Sequence, residues 1–478
     1  MADSHPNIIL ITTDQQRGDC LGIEGHPVLQ TPNLDWMGRA GTHFRRGYAE
    51  CPSCIPARRA LMSGQAPDAN GMVGFADGVE WNPKHTLAGE LGKAGYQTEM
   101  IGKLHLHPRR KRFGFDHMRL ADATHGKPGG DNDYVDWLAG TGATEVDPGV
   151  VHGVSANGWV GRPHHLPEER MHTTWCVSES LDFLEKRDPA TPFFLNLSFI
   201  DPHPPLTCPR FYYDRYLEAD LPDPVVGDWA PPFEGPERGM QVDGSRICLD
   251  RQTMRYARAA YYGMINYVDD QIGRLINALK RNKLFNNTFI LFTSDHGEML
   301  GDHHIFRKTF AYEASARVPF LAWAPPSMGC PPEQATRSPV GLQDIMPTLL
   351  EVAGAPVPET VTGRSLLPVI RGETDRVREV LHGEHSGCYR DEDGMHFLTD
   401  GRWKYIWYSQ TGQEQFFDLE EDPNEMRDLA RKTDAGAALE PWRQRLAERL
   451  GQRPEGFSDG SRLIPGKPHG TLVPERNG

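Results

Sequence analysis

Apolar runs in this chain are short, and four of them stop against residues that carry chemistry. Asn7 to Thr13 ends at Asp14-Gln15, and Thr98 to Ile101 leads into Gly102-Lys103-Leu104-His105. Phe193 to Ile200 leads into Asp201-Pro202-His203, and Thr288 to Thr293 into Ser294-Asp295-His296-Gly297. Short runs without alternation fit strands buried on both faces. Helical spacing falls between them, at Pro32 to Ala40, Leu87 to Ala94, Thr173 to Lys186, Gln252 to Arg281 and Thr348 to Ala353. The long segment repeats apolar positions at Met254, Ala257, Tyr261, Met264, Ile265 and Val268, a core-facing stripe. Strand alternating with helix predicts an α/β fold, a large mostly parallel sheet flanked by helices. Ligands bind such sheets beyond the carboxyl ends of the strands, so the four polar ends are expected to converge on one site.

The pattern breaks in two places and then changes. Ala121 to Glu168 and Cys208 to Ser245 are rich in Gly, Pro and charge with weak periodicity, and read as long loops that would form a substrate-selecting rim. After Arg371, short runs at Glu379 to His382, Met395 to Asp400, Trp403 to Tyr408 and Gln415 to Leu419 alternate with turn residues. A charged helix follows through Ala437 to Leu450. The division expected is a large domain over 1–370, a smaller antiparallel α+β subdomain over 371–450, and a tail over 451–478 that wraps a neighbour or moves.

With 478 residues the chain is long enough for a large domain with a satellite. A formal net charge of −14 argues against nucleic acid or anionic lipid as a partner, so an anionic substrate has to meet local positive charge. No apolar run approaches the roughly 20 residues of a membrane span, and Ile8 to Ile11 is too brief for a secretory core. The expected compartment is the cytoplasm. Eight cysteines are scattered apart from Cys51 and Cys54, which suits free thiols. Cys51-Pro52-Ser53-Cys54 can be read as a redox or zinc C-x-x-C, but it lacks a second pair and a preceding thioredoxin-like strand.

The run Cys54-Ile55-Pro56-Ala57-Arg58 supports another reading. It resembles the maturation motif of the sulfatase family, in which such a cysteine is oxidised to formylglycine. The resemblance continues at Asp14, at Gly102-Lys103-Leu104-His105, at His203, at Asp295-His296-Gly297, and at Lys308 with Tyr312-Glu313-x-Ser315-x-Arg317-Val318-Pro319. Arg402-Trp403-Lys404-Tyr405-Ile406 and Phe417-Asp418-Leu419-Glu420-x-Asp422-Pro423-x-Glu425 look like the family's C-terminal subdomain, so the match runs from residue 7 to about 430.

The resemblance implies the alkaline phosphatase superfamily fold over 1–370 and one divalent metal ion held by Asp14, Gln15, Asp295, His296 and the modified Cys54. Oxygen-rich ligands suit calcium, and the imidazole adds weight to manganese. It implies a formylglycine-generating enzyme as maturation partner and a small anionic ester as substrate, and leaves homo-oligomer formation open. Arg58 would orient the hydrated aldehyde, while Lys103, His105, His203 and Lys308 would ring the sulfate. Asp295 would take the nucleophile's proton, His203 or Lys308 would protonate the leaving oxygen, and His105 would assist collapse of the intermediate. Two positions depart from many sulfatases: Ala57 replaces Ser, and Gln15 replaces Asp. Both departures occur among phosphonate monoester hydrolases and phosphodiesterases, which form the alternative. Lys103 with His105 tips the expectation to sulfate esters. A catalytically silent binding protein with unmodified Cys54 is a third reading.

Overall fold

The computed structural model describes residues 5–124, 126, 128–142, 153–231, 244–432 and 436–474. Its main sheet has eight strands: β1 (Asn7–Thr13), β2 (Thr42–Phe44), β3 (Gln97–Gly102), β4 (His117–Leu120), β5 (Phe193–Ser198), β6 (Thr288–Ser294), β7 (Phe320–Trp323) and β8 (Gln334–Thr336). The order is β8-β2-β7-β6-β1-β5-β3-β4, with the five strands from β6 to β4 parallel and β7 antiparallel to its neighbours. The four strands β2, β4, β7 and β8 extend the sheet beyond the sequence expectation. They have only three or four residues each, too few to show a period.

Both faces of the sheet are covered, which explains the unbroken apolar runs. Ile8, Leu10, Met100 and Leu291 face one side, packed with Leu349 and Leu350 of α8 (Ile345–Val352). Ile9, Ile11, Leu195 and Phe292 face the other, against Val268, Ile272 and Leu275 of α7 (Arg251–Arg281). Each such side chain contributes about 1.5–3 kcal/mol by leaving water. The Asp250 carboxylate caps α7 by accepting from the Gln252 and Thr253 amides. Also on the sheet are α1 (Pro32–Ala40), α2 (Cys54–Ser63), α3 (Leu87–Lys93) and α5 (His172–Lys186).

The two segments expected to be loops each contain a helix, α4 (Asp133–Gly140) and α6 (Arg210–Glu218). Packing decides α6: Tyr212, Tyr213 and Tyr216 bury against Ala257, Ala260 and Tyr261 of α7. The rest of these segments falls partly on 143–152 and 232–243, which lie outside the described residues.

The C-terminal part forms a sequential antiparallel sheet of β9 (Leu381–His385), β10 (Met395–Thr399), β11 (Trp403–Tyr408) and β12 (Glu414–Asp418). Phe397, Ile406 and Phe417 bury against Tyr48 and Tyr312, and the opposite face carries Tyr405, Trp407 and Phe416 against α9 (Gly436–Leu450). Lys404 anchors the sheet: its buried Nζ lies 2.6 Å from Glu313 and donates to Ala311 O at 2.8 Å. The tail wraps its own chain as far as it is described. Val73 N donates to Thr471 O at 2.9 Å, and Phe457 and His469 are buried.

Candidate active site

Parallel pairing places two acids side by side. Thr13 lies opposite Ser294 in the β1–β6 ladder, so Asp14 and Asp295 leave adjacent strand ends together. Gln15 follows with a positive φ of 71°, and its amide donates to Asp295 Oδ1 at 3.2 Å. His296 turns back at Gly297, where a Cβ would come within 2.1 Å of Ala314 O. Its Nδ1 pairs with Gly297 O at 2.9 Å, which puts the proton on Nδ1 and leaves the Nε2 lone pair for the site. That nitrogen lies 3.1 Å from Cys54 Sγ, 3.5 Å from Asp295 Oδ1 and 3.6 Å from Asp14 Oδ1.

Cys54 is the first residue of α2, where backbone N–H groups and the helix dipole favour an anion. Asp14, Cys54, Asp295 and His296 each place one ligand atom within 4.8 Å of the others, and all four are buried. Two carboxylates and an imidazole with a free lone pair are a fitting donor set for a divalent ion.

Fixed cations surround this cluster. Lys103 Nζ lies 2.5 Å from Asp14 Oδ2, and Arg58 Nε donates to Asp295 Oδ2 at 2.9 Å. Gly102 makes the first placement possible: its φ is 100°, and a Cβ would meet Ser198 O at 1.9 Å. Burial pushes the Asp14 carboxyl up, but Lys103, His203, His296 and Arg58 together hold it well below the usual range. Burial lowers the Lys103 ammonium, and Asp14 and Cys54 outweigh it to bring the group up to about 12. At Cys54, burial and Asp14 raise the thiol, yet Lys308, Lys103 and His296 leave it below its ordinary value. The net field at residue 54 therefore favours negative charge.

Burial lowers His296 but Asp295 and Cys54 bring it above its ordinary value, whereas two other histidines are held neutral. Burial, then Lys103 and Arg58, keep His105 well below the usual range, and its buried Nδ1 has no hydrogen-bond partner. Burial and Lys308 do the same to His203, whose Nδ1 donates to Pro204 O at 2.7 Å. His203 Nε2 then accepts from Lys308 Nζ at 3.0 Å, and the same ammonium donates to Gln15 Oε1 at 2.6 Å.

These groups open onto a cleft of about 440 Å³ lined by Cys54, Lys103, His105, His203 and Lys308 together with Phe75, Ile200, Pro205 and Tyr389. Of the two expected rim segments, the first contributes Asp122, Ala123, Thr124, Ala156 and Asn157, and the second contributes none of the lining among the described residues. Arg58 also differs from expectation. It lies behind the cluster, where Nη1 donates to Lys103 O at 2.5 Å and Ser198 Oγ at 3.0 Å. It props the carboxylates and the Lys103 turn. The Gln15 amide lies between Glu298 and Lys308, so its oxygen is already engaged.

Sequence reasoning missed several supports. Asp122 Oδ1 accepts from the Leu104 and His105 amides at 2.8 and 2.9 Å, Glu298 takes the Gln15 amide, and His385 Nε2 meets Ser53 Oγ at 2.9 Å. Asp122 and His385 lie outside the quoted motifs, and Glu298 follows Gly297 but meets Gln15, 283 positions away. His303 packs against Trp229 at 4.6 Å between ring centroids and accepts from Gly227 N, so its place is structural. Cys51 stays outside the cluster, and all eight thiols are free.

The family model described as Sulfatase matches residues 6–355, and that of the N-sulphoglucosamine sulphohydrolase C-terminal region matches 301–452. The chain is similar to an arylsulfatase of Clostridium perfringens, 41% identical over 98% of this chain and 99% of that protein. A choline-sulfatase of Rhizobium meliloti is 29% identical over 90% of this chain and 83% of that protein. In fold it resembles the phosphonate monoester hydrolase of Agrobacterium radiobacter, with a TM-score of 0.78 and 24% identity over 94% of this chain and 96% of that one. The chain thus belongs to the sulfatase family, of the alkaline phosphatase superfamily, and is a sulfuric ester hydrolase.

Proposed function

We propose that this enzyme hydrolyses sulfate esters of small or aryl alcohols through a formylglycine made from Cys54, with a divalent ion held by Asp14, Asp295 and His296. The supporting observation is the field at Cys54, where Lys308, Lys103 and His296 override burial and Asp14 in favour of an anion. The hydrated aldehyde would supply one hydroxyl to attack sulfur and another whose deprotonation expels sulfate, and the bound ion would supply charge that eases loss of the first proton. Calcium suits the oxygen donors, with manganese the alternative.

The chain's own residues do the rest. Lys103 and Lys308 hold the sulfate oxygens in the cleft, and each such donor is worth about 3 to 4 kcal/mol in the transition state. Asp295, fixed by Arg58, is the carboxylate placed to accept the nucleophile's proton. Lys308 Nζ lies 3.0 Å from His203 Nε2, so the pair is placed to serve the leaving oxygen. His105, neutral and unpartnered at Nδ1, accepts the proton released on collapse.

The whole of α2 is buried, including Cys54, Pro56 and Arg58. A formylglycine-generating enzyme must therefore reach this segment before the chain folds. The apolar side of the cleft, Phe75, Ile200, Pro205 and Tyr389, suits an aryl or compact leaving group. Kinetics on an aryl sulfate beside an aryl phosphonate monoester test the substrate class. A higher kcat/KM for the sulfate is expected, and preference for the phosphonate would reassign the enzyme.

A further inference from the structure

A second cluster of metal-ligating side chains lies in the C-terminal sheet, apart from the cleft. His382 and Glu384 sit two residues apart on β9 and share a face, and His396 of β10 lies directly opposite Glu384. Each offers one ligand atom within 4.8 Å of the others. His382 Nε2 is 3.2 Å from His396 Nδ1, and that nitrogen is 3.7 Å from Glu384 Oε2. A tetrahedral ion with bonds of about 2.0–2.1 Å spaces its donors by roughly 3.3 Å, close to these separations.

The electrostatics also suit a cation. Glu384 accepts from Arg453 Nη1 with both oxygens, at 2.7 and 2.8 Å, but Arg453 is shared with Glu455 at 2.6 Å. Two carboxylates and one guanidinium leave one negative charge in a buried place. His469 of the tail covers the group, its ring 4.9 Å from that of His396 and its Nε2 3.6 Å from Glu384 Oε2.

We propose that His382, Glu384 and His396 form a structural transition-metal site, with Zn²⁺ as its ion, beneath the C-terminal tail. Two nitrogens and one oxygen favour zinc over calcium. The ion would tie β9 to β10 beneath the tail, which pairs with the large domain at Val73.

Co²⁺ titration of the chelator-stripped full chain tests this. The expected result is one equivalent with a tetrahedral absorption band, displaced by Zn²⁺, lost in His382→Gln and retained in Asp14→Asn. An identical band in His382→Gln, or a wild-type band that disappears only in Asp14→Asn, would overturn the proposal. Anomalous diffraction at the zinc edge on Zn²⁺-soaked wild-type crystals needs no variant. A peak between His382 and Glu384 supports the site, and no peak there refutes it.

Discussion

Two buried clusters in this enzyme draw on similar residues and differ in what surrounds them. At the strand ends, Asp14, Asp295, His296 and Cys54 are ringed by Arg58, Lys103 and Lys308. In the C-terminal sheet, His382, Glu384 and His396 have one shared guanidinium and a spare negative charge. The first arrangement has cations to spare for an arriving anion, and the second has a charge that only a cation can balance. Ligand type alone would group them, whereas the outer ring of charge separates a site for turnover from one for holding.

The largest break in this contrast is Cys54→Ala. It should lower turnover at least about 10⁴-fold, as loss of a nucleophile does, while binding at the outer cluster is unchanged in the Co²⁺ titration. Arg453→Ala should do the reverse: about 3–5 kcal/mol of stability lost in denaturant unfolding, because Glu384 and Glu455 lose their buried partner, with kcat per folded molecule retained. Lys103→Ala removes one cation from the ring and should cost roughly 10²- to 10³-fold in kcat. His203→Asn should cost about 10²-fold on esters with poor leaving groups and much less on activated aryl sulfates, measured as a leaving-group series.

The smallest effect concerns Asp201, two residues before His203. Burial lifts its carboxyl to about 7 although Thr173 donates to it. A raised carboxyl means that the folded state binds the extra proton between about pH 4 and 7. Stability should therefore fall as pH rises through that window, by at most about 1.4 kcal/mol per unit. Asp201→Asn should flatten that slope in unfolding measured from pH 4 to 8.

Much of the contrast was legible in the sequence on one side only. Strand ends at Asp14, Lys103, Asp201 and Asp295 could be read because burial on both faces leaves unbroken apolar runs that stop at functional residues. Trp403–Tyr408 and Pro32–Ala40 likewise match their expected bounds. The outer cluster went unread because His382 and Glu384 look like polar positions of an alternating strand, and their partner His396 is set by register. Asp122 and Glu298 were hidden because the groups they hold, the Leu104 and His105 amides and the Gln15 side chain, are brought to them only by the fold. The α6 helix was missed because Arg210–Glu218 is charged and aromatic, and only its tyrosines against α7 decide its shape.

The central claim is that the cation ring at the strand ends serves an oxidised Cys54. Mass spectrometry of the tryptic peptide spanning 47–58 from fully active enzyme tests it most directly. The expected mass is that of an aldehyde or its hydrate at residue 54, and an unaltered cysteine in enzyme of full specific activity would contradict it.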